Sequence, residues 1–330
     1  MPAAAQVKSL LNSHYIGDEE HFNIVALQIA ASEARQGHQK FADEVKNLVD
    51  KAKNGRLKKR IIQFNRPSEE LKGLLSVSYP DKRLSDIILT DSLSKRIDRI
   101  ILEYRHIDLI EQHGLIPKRK IILIGPPGTG KTMTASVLAG ELGLPLFQVR
   151  LDGLISRYMG ETATKLRLIF DSIENTLGVF FFDEFDAIGA ERELSNDAGE
   201  ARRILNSFLQ MVEETKSNSL ILAATNHPAI LDMALFRRFD DVLNYELPDT
   251  IHIEMLLKNL LCNYTSKNFQ WNTLINEAEG LNYSEITHAA NEVIKTVIME
   301  NTTEVTEEMT KIALIERKQM RKQITLNLGQ

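Results

Sequence analysis

Gly125-Pro126-Pro127-Gly128-Thr129-Gly130-Lys131-Thr132 satisfies the pattern G-x-x-x-x-G-K-[ST] at every fixed position. An apolar run with the length of a buried strand, Ile121–Ile124, comes before it, and helical periodicity follows through Leu142. A strand, a glycine-rich turn and a helix in that order are the setting the pattern needs to hold phosphate. The glycines let the backbone curl so that successive N–H groups converge. The helix N-terminus then adds its partial positive charge. On this reading all eight residues, Gly125 to Thr132, form a phosphate cradle. Lys131 reaches the β- and γ-phosphates, and the Thr132 hydroxyl holds Mg²⁺. Eight consecutive positions in the right setting leave little room for a chance glycine turn.

Further apolar runs follow at Phe147–Arg150, Val179–Phe182 and Leu220–Ala224, with helical stretches between them. Strands that alternate with helices imply a parallel sheet covered on both faces. The strand Val179–Phe182 runs straight into Asp183-Glu184. A buried strand of such a sheet delivers its C-terminal residues to a ligand at the sheet edge. Asp183 is expected to position Mg²⁺ through water, and Glu184 to orient and polarise an attacking water. Alone, the pair would read as an acidic turn after a core strand. Behind a phosphate cradle it reads as the hydrolytic pair.

The cradle, the aromatic strand and Asp183-Glu184 together resemble the AAA family of P-loop ATPases. That resemblance implies ATP and Mg²⁺ as ligands and an AAA α/β core with a C-terminal helical lid. Asn226, in Ala223-Ala224-Thr225-Asn226, resembles the family's first sensor, although before His227-Pro228 it also fits a turn. Leu231 to Asp240 resembles the end of the second region of homology, so Arg237 and Arg238 are expected to reach a neighbouring subunit's ATP. Many members separate these arginines by a proline and a glycine; here they are adjacent, which leaves their separate roles open. Pairing with Asp240 and Asp241 is the alternative.

Ser156 to Thr162 resembles the first pore loop. Tyr158 and Met159 would then grip a polypeptide in a central channel, a flat ring and a flexible thioether being suited to varied side chains. The alternative is that Tyr158 packs at the start of a helix capped by Thr162. Gly280 to Ile286 resembles the lid turn that closes over adenine, with Tyr283 in place of a common glycine. Leu84 to Ile88 resembles the segment beside the base, with Ile87 and Ile88 as contact residues.

The flanks divide the chain into three regions. Residues 1–66 read as a helical leader and a basic linker centred on Lys58-Lys59-Arg60. Residues 67–248 read as the α/β ATPase domain, and 249–330 as a helical lid. In the leader, Phe22, Val25 and Ile29 share a helical face, with Ile24, Leu27 and Ala31 beside them. Phe41, Val45, Leu48 and Val49 repeat the pattern after a break at Gly37, and Val7, Leu10 and Leu11 suggest a shorter helix. Three such helices would form a small N-terminal bundle. Ser13 to Asp50 resembles the leader of a bacterial AAA subgroup encoded beside a subtilisin-like serine protease and linked to phage defence. Val25–Ala31, Glu33–His38 and the adjacent arginines carry that likeness.

The 330 residues carry a net charge of −5, which gives no global pull toward nucleic acid or anionic membrane. No apolar run is long enough to cross a bilayer. The single cysteine, Cys262, forms no internal disulfide and points to a reducing, cytoplasmic setting; its apolar surroundings suggest a core residue. The resemblance implies a homo-oligomer, as a hexamer, that remodels or translocates a protein substrate, with a subtilisin-like protease as a candidate partner. Two other functions fit the same cradle: a nucleotide-gated regulator of a protease, and a DNA-directed loader. The charge balance and the pore-loop aromatic weigh against DNA.

Overall fold

A computed structural model describes residues 8–9, 13, 19–35, 37–38, 40–46, 49, 71, 73–154, 161–185, 198–227, 236–266, 269–302 and 304–328. The chain divides into two compact units, Met1–Phe64 and Asn65–Gln330.

In the first unit, helix α1 (Glu19–Arg35) buries Val25, Ala26, Ile29 and Ala30. Gly37, at φ 89°, ends it: the Gly37 N–H donates to the Ala34 carbonyl and the His38 N–H to that of Glu33. Residues 40–46 are helical again. Three expectations are corrected here. Ile24 is 49% exposed, Phe41 46% exposed, and Ala31 is exposed as well. The buried stripes run through Val25, Ala26, Ile29 and Ala30 and through Ala42 and Val49, one position away from each of these side chains. Val7, Leu10, Leu11 and the linker Lys58-Lys59-Arg60 lie outside the described residues.

The second unit begins with strand β1 (Leu75–Ser78), then α2 (Asp91–Arg105) and α3 (Ile107–Gln112). β2 (Lys120–Ile124) leads into α4 (Lys131–Leu142), and β3 (Leu146–Val149) is followed by α5 (Glu161–Asn175). β4 (Val179–Phe182), α6 (Ala198–Glu214), β5 (Leu220–Thr225) and β6 (Asp241–Asn244) complete the α/β part. The sheet order is β1-β3-β4-β5-β2-β6, parallel throughout except for β1, which pairs antiparallel with β3. Four strands were expected and six are present. The two unexpected ones, β1 and β6, lie at the sheet's edges.

Every residue of β4 and β5 is buried, as strands covered on both faces require. The Phe182 ring stands edge-on to Phe208 at 5.0 Å and stacks on Phe170 at 5.8 Å, while Phe180 stacks on Phe147 at 4.6 Å. Truncating such a ring to Ala costs about 3–5 kcal/mol. That packing holds the C-terminal end of β4, and hence Asp183, in place.

Four helices follow: α7 (Thr250–Leu261), α8 (Trp271–Ala278), α9 (Tyr283–Met299) and α10 (Glu307–Leu328). They share their own core of Ile253, Leu257, Leu274, Ile286, Val293 and Leu314. Cys262 is exposed, which corrects the expected core position: it caps the C-terminus of α7, one residue past buried Leu261. Among the described residues no helix is long and apolar enough to cross a membrane.

Candidate functional site

The chain leaves β2 toward β3 on one side and later reaches β6 on the other. The order therefore switches beside β2, and such a switch opens a crevice at the carboxyl ends of the strands. Ile124 is in register with both Thr225 and Asn244, and Phe182 with Ala223. The residues that follow, Gly125, Asp183, Asn226 and Tyr245, therefore emerge along one edge.

Between β2 and α4 the glycine-rich turn joins strand to helix, the setting the pattern needs. The N-cap of α4 is Gly130, without a side-chain cap, which leaves the first N–H groups of the helix for a ligand. Lys131 is buried, and its Nζ donates to the carbonyls of Gly125 (2.7 Å) and Pro126 (2.8 Å). The Thr132 hydroxyl donates to Asp183 Oδ2 at 2.9 Å. These two hard oxygen donors come from different elements, and such a donor set fits Mg²⁺, which keeps several of its waters.

Glu184 follows in a left-handed conformation, φ 49°, with its N–H donating to Asp183 Oδ1. That backbone is unusual for a residue with a side chain and costs of order 1–3 kcal/mol. Asn226 Nδ2 donates to Glu184 Oε1 at 3.3 Å. The Asn226 Oδ1 atom is buried and has no hydrogen-bond partner among the described residues. An unpaired buried acceptor beside a carboxylate is suited to receive a hydrogen from a water or a ligand.

A cavity of about 640 Å³ runs from this point to the lid. Its walls include residues 127–132 of the cradle, Asp183, Glu184, Asn226, Ile87 and Ile88. Gly125 and Pro126 stand behind it, where their carbonyls meet Lys131. The lid supplies Leu256, Leu260, Tyr283 and His288, of which only Tyr283 was singled out from sequence. Burial, with Asp249 nearby, pushes the Tyr283 phenol up to about 12.

The lid also touches the cradle directly. Asn282 caps α9 in a reciprocal box with Glu285, each bond 2.8 Å. The Ser284 N–H donates to the Gly128 carbonyl at 3.2 Å. Gly128 has φ +72°, and a Cβ there would lie 2.5 Å from Asn282 Oδ1. No local sequence signal marks this contact, because it joins residues far apart in the chain.

Arg237 and Arg238 lie just before β6, whose opposite end faces the cradle, and neither lines the cavity. Arg238 pairs with Glu213 at 3.5 Å; Arg237 is exposed, without an ion pair or hydrogen bond among the described residues. Pairing with Asp240 and Asp241 does not occur. Asp240 accepts the N–H groups of Arg119 and Lys120, and Asp241 binds Lys118 and Arg96. Burial opposes the Asp241 charge, but Lys118 and Arg96 hold its carboxyl below the ordinary value. Thr162 is the second residue of α5 rather than its cap. Tyr158 and Met159 lie outside the described residues.

The description "ATPase family associated with various cellular activities (AAA)" matches residues 121–247. An uncharacterised AAA family ATPase, y4kL, of Sinorhizobium fredii is 34% identical over 305 residues, covering 91% of each chain. The proteasome-activating nucleotidase of Pyrococcus abyssi is 32% identical over 245 residues, 72% of this chain and 62% of that protein. The ATP-dependent zinc metalloprotease FtsH of Metamycoplasma arthritidis is 30% identical over 236 residues, 69% of this chain and 32% of that protein.

Proposed function

This chain belongs to the AAA family of ATPases and hydrolyses ATP, and from that premise we propose that it assembles into a hexameric ring that remodels or translocates proteins. The carrying observation is the placement of Arg237 and Arg238. They stand at the end of β6 away from their own cavity and do not line it, which supports their acting on the ATP of a neighbouring copy. A site completed in trans makes a ring the working unit. The protein substrate is supported by the relatives named for proteolysis and proteasome activation, and by Tyr158 and Met159 as a pore-loop grip.

Within one site, the cradle N–H groups and Lys131 hold the phosphates, and Ile87 and Ile88 flank the base. The attacking water is assigned to the place where Glu184 and the unpaired Asn226 Oδ1 meet at the cavity wall, the two side chains being joined through Asn226 Nδ2 and Glu184 Oε1. Glu184 polarises that water and Asn226 fixes its orientation. Mg²⁺ held by Thr132 and Asp183 would neutralise phosphate charge. A single thiol, Cys262, supports a reducing, cytoplasmic setting as part of this reading.

The test is ATPase activity and particle size with three additions: an unfolded protein, duplex DNA, and a subtilisin-like protease, the candidate partner. Hexamers stimulated by unfolded protein support the reading. Tyr158→Ala should abolish that stimulation while basal hydrolysis stays within a few-fold. Stimulation by DNA alone, or by the protease without any work on unfolded protein, would replace it with a loader or a regulator.

A further inference from the structure

We propose that Tyr245 is a positioning residue for ATP binding: it brackets the phosphate loop from behind and sets the spacing between its first glycine and the first turn of α4. Three contacts from this one residue carry the inference. Its N–H donates to the Ile124 carbonyl at 2.7 Å, which joins β6 to the last residue before the loop. Its carbonyl oxygen lies where Gly125 would carry a side chain: a Cβ there would be 2.3 Å from Tyr245 O and 2.8 Å from Tyr245 Cβ. The loop can start only because residue 125 is glycine and residue 245 presses against it. Its phenol then reaches over the loop's far end and donates to Thr134 Oγ1 at 2.7 Å. Thr134 Oγ1 passes the chain on by donating to the Gly130 carbonyl at 3.1 Å, beside its own backbone N–H at 2.8 Å.

The result is a directed chain of donors, Tyr245 to Thr134 to Gly130, ending on the residue before Lys131. Gly130 and Lys131 present backbone N–H groups to the phosphates. The tilt of that peptide decides whether those groups converge on one oxygen. Both side chains are buried, Tyr245 4% exposed and Thr134 fully inaccessible, so water does not replace the bond when it is lost. Burial also raises the phenol far above its ordinary value, which keeps it a donor across the working pH range. No sequence pattern marks Tyr245, which is 120 residues from Gly125; only the fold brings them together.

The test is calorimetric binding of MgADP, with thermal melting of the nucleotide-free protein, on full-length variants. Tyr245→Phe keeps the ring and removes only the donor. It should weaken ADP roughly five- to ten-fold, the worth of one buried hydrogen bond. Thr134→Val should weaken ADP by a similar factor. The double variant should be no weaker than the worse single, because both act through one bond. Thr134→Ser keeps the hydroxyl and should bind ADP like the parent. A merely structural role lowers the melting temperature and leaves ADP affinity unchanged. That result would overturn the proposal, as would losses that add in the double variant or a Thr134→Ser variant as weak as Thr134→Val.

Discussion

At the scale of single residues, the site is built from groups that hold one another before any substrate arrives. Thr132 bonds to Asp183, the Asp183 carboxylate takes the N–H of Glu184, and Glu184 takes the amide of Asn226. Glu184 adopts φ 49°, a backbone that most side chains avoid. Local strain of about 1–3 kcal/mol persists only where the surroundings overdetermine it, and it aims the carboxylate at the cavity rather than back along the strand. Glu184→Gln tests the role without disturbing that geometry. The amide keeps the size and the acceptor facing Asn226, but not the charge that polarises water. The variant should bind ATP at near parental affinity while turnover falls by at least two orders of magnitude. Single-turnover measurement with a bound-nucleotide assay separates the two quantities. Parental turnover would remove Glu184 from the mechanism.

At the scale of elements, the lid turn and the phosphate loop form one unit. Asn282 ends the turn, caps α9 with Glu285 and fills the space next to Gly128. Asn282→Ala should therefore do two separable things. Loss of the cap costs about 1 kcal/mol and lowers the melting temperature by about 2–4 °C. Loss of the contact with Gly128 should also weaken ATP binding. Asn282→Ser restores the cap with a shorter side chain, so it should recover the melting temperature and not the affinity. An Asn282→Ala protein that melts like the parent would mean that the capping box contributes nothing.

The same scale explains what the sequence made legible. β2, β4 and β5 were readable because buried parallel strands are continuous apolar runs, and the cradle because its pattern is contiguous. β1 and β6 were not. Each has four residues, and Ser76, Ser78, Asp241 and Asn244 break the apolar run at the sheet's edges. Asp183, Glu184 and Asn226 could be placed at the cavity because they directly follow readable strands. Tyr245 follows a strand that was not readable, and the contact of Asn282 with Gly128, 154 residues away in sequence, carries no local signal. Cys262 failed for a different reason: an apolar neighbourhood in sequence does not fix a face, and Cys262 is the C-cap residue next to buried Leu261, itself facing outward.

At the scale of the whole molecule, the proposed ring turns on whether an arginine of one copy serves the ATP of another. Arg238 is occupied by Glu213 of its own chain, whereas Arg237 is exposed and unpaired among the described residues, so Arg237 is the better candidate to reach outward. An arginine finger is worth roughly 10³–10⁵ in rate, so Arg237→Ala alone should be nearly inactive. Lys131→Ala alone should fail to bind ATP and be equally inactive. Mixed in equal amounts and allowed to exchange, the two should give activity that neither has. A working interface needs a pocket from an Arg237→Ala subunit and a finger from a Lys131→Ala subunit. Random mixing places that pair at about one interface in four, being one half times one half, so about a quarter of the parental rate should return if sites act independently. If Arg237 served its own pocket, no subunit in the mixture would hold both parts, and the rate would stay at the average of the two inactive parents. The assay is steady-state phosphate release from the mixture against its components, at a concentration where sizing shows assembled particles. Recovery well below a quarter but above the parents would mean that sites fire in a coupled order around the ring; recovery at the parental floor would remove the trans arginine, and with it the argument that the ring is the working unit.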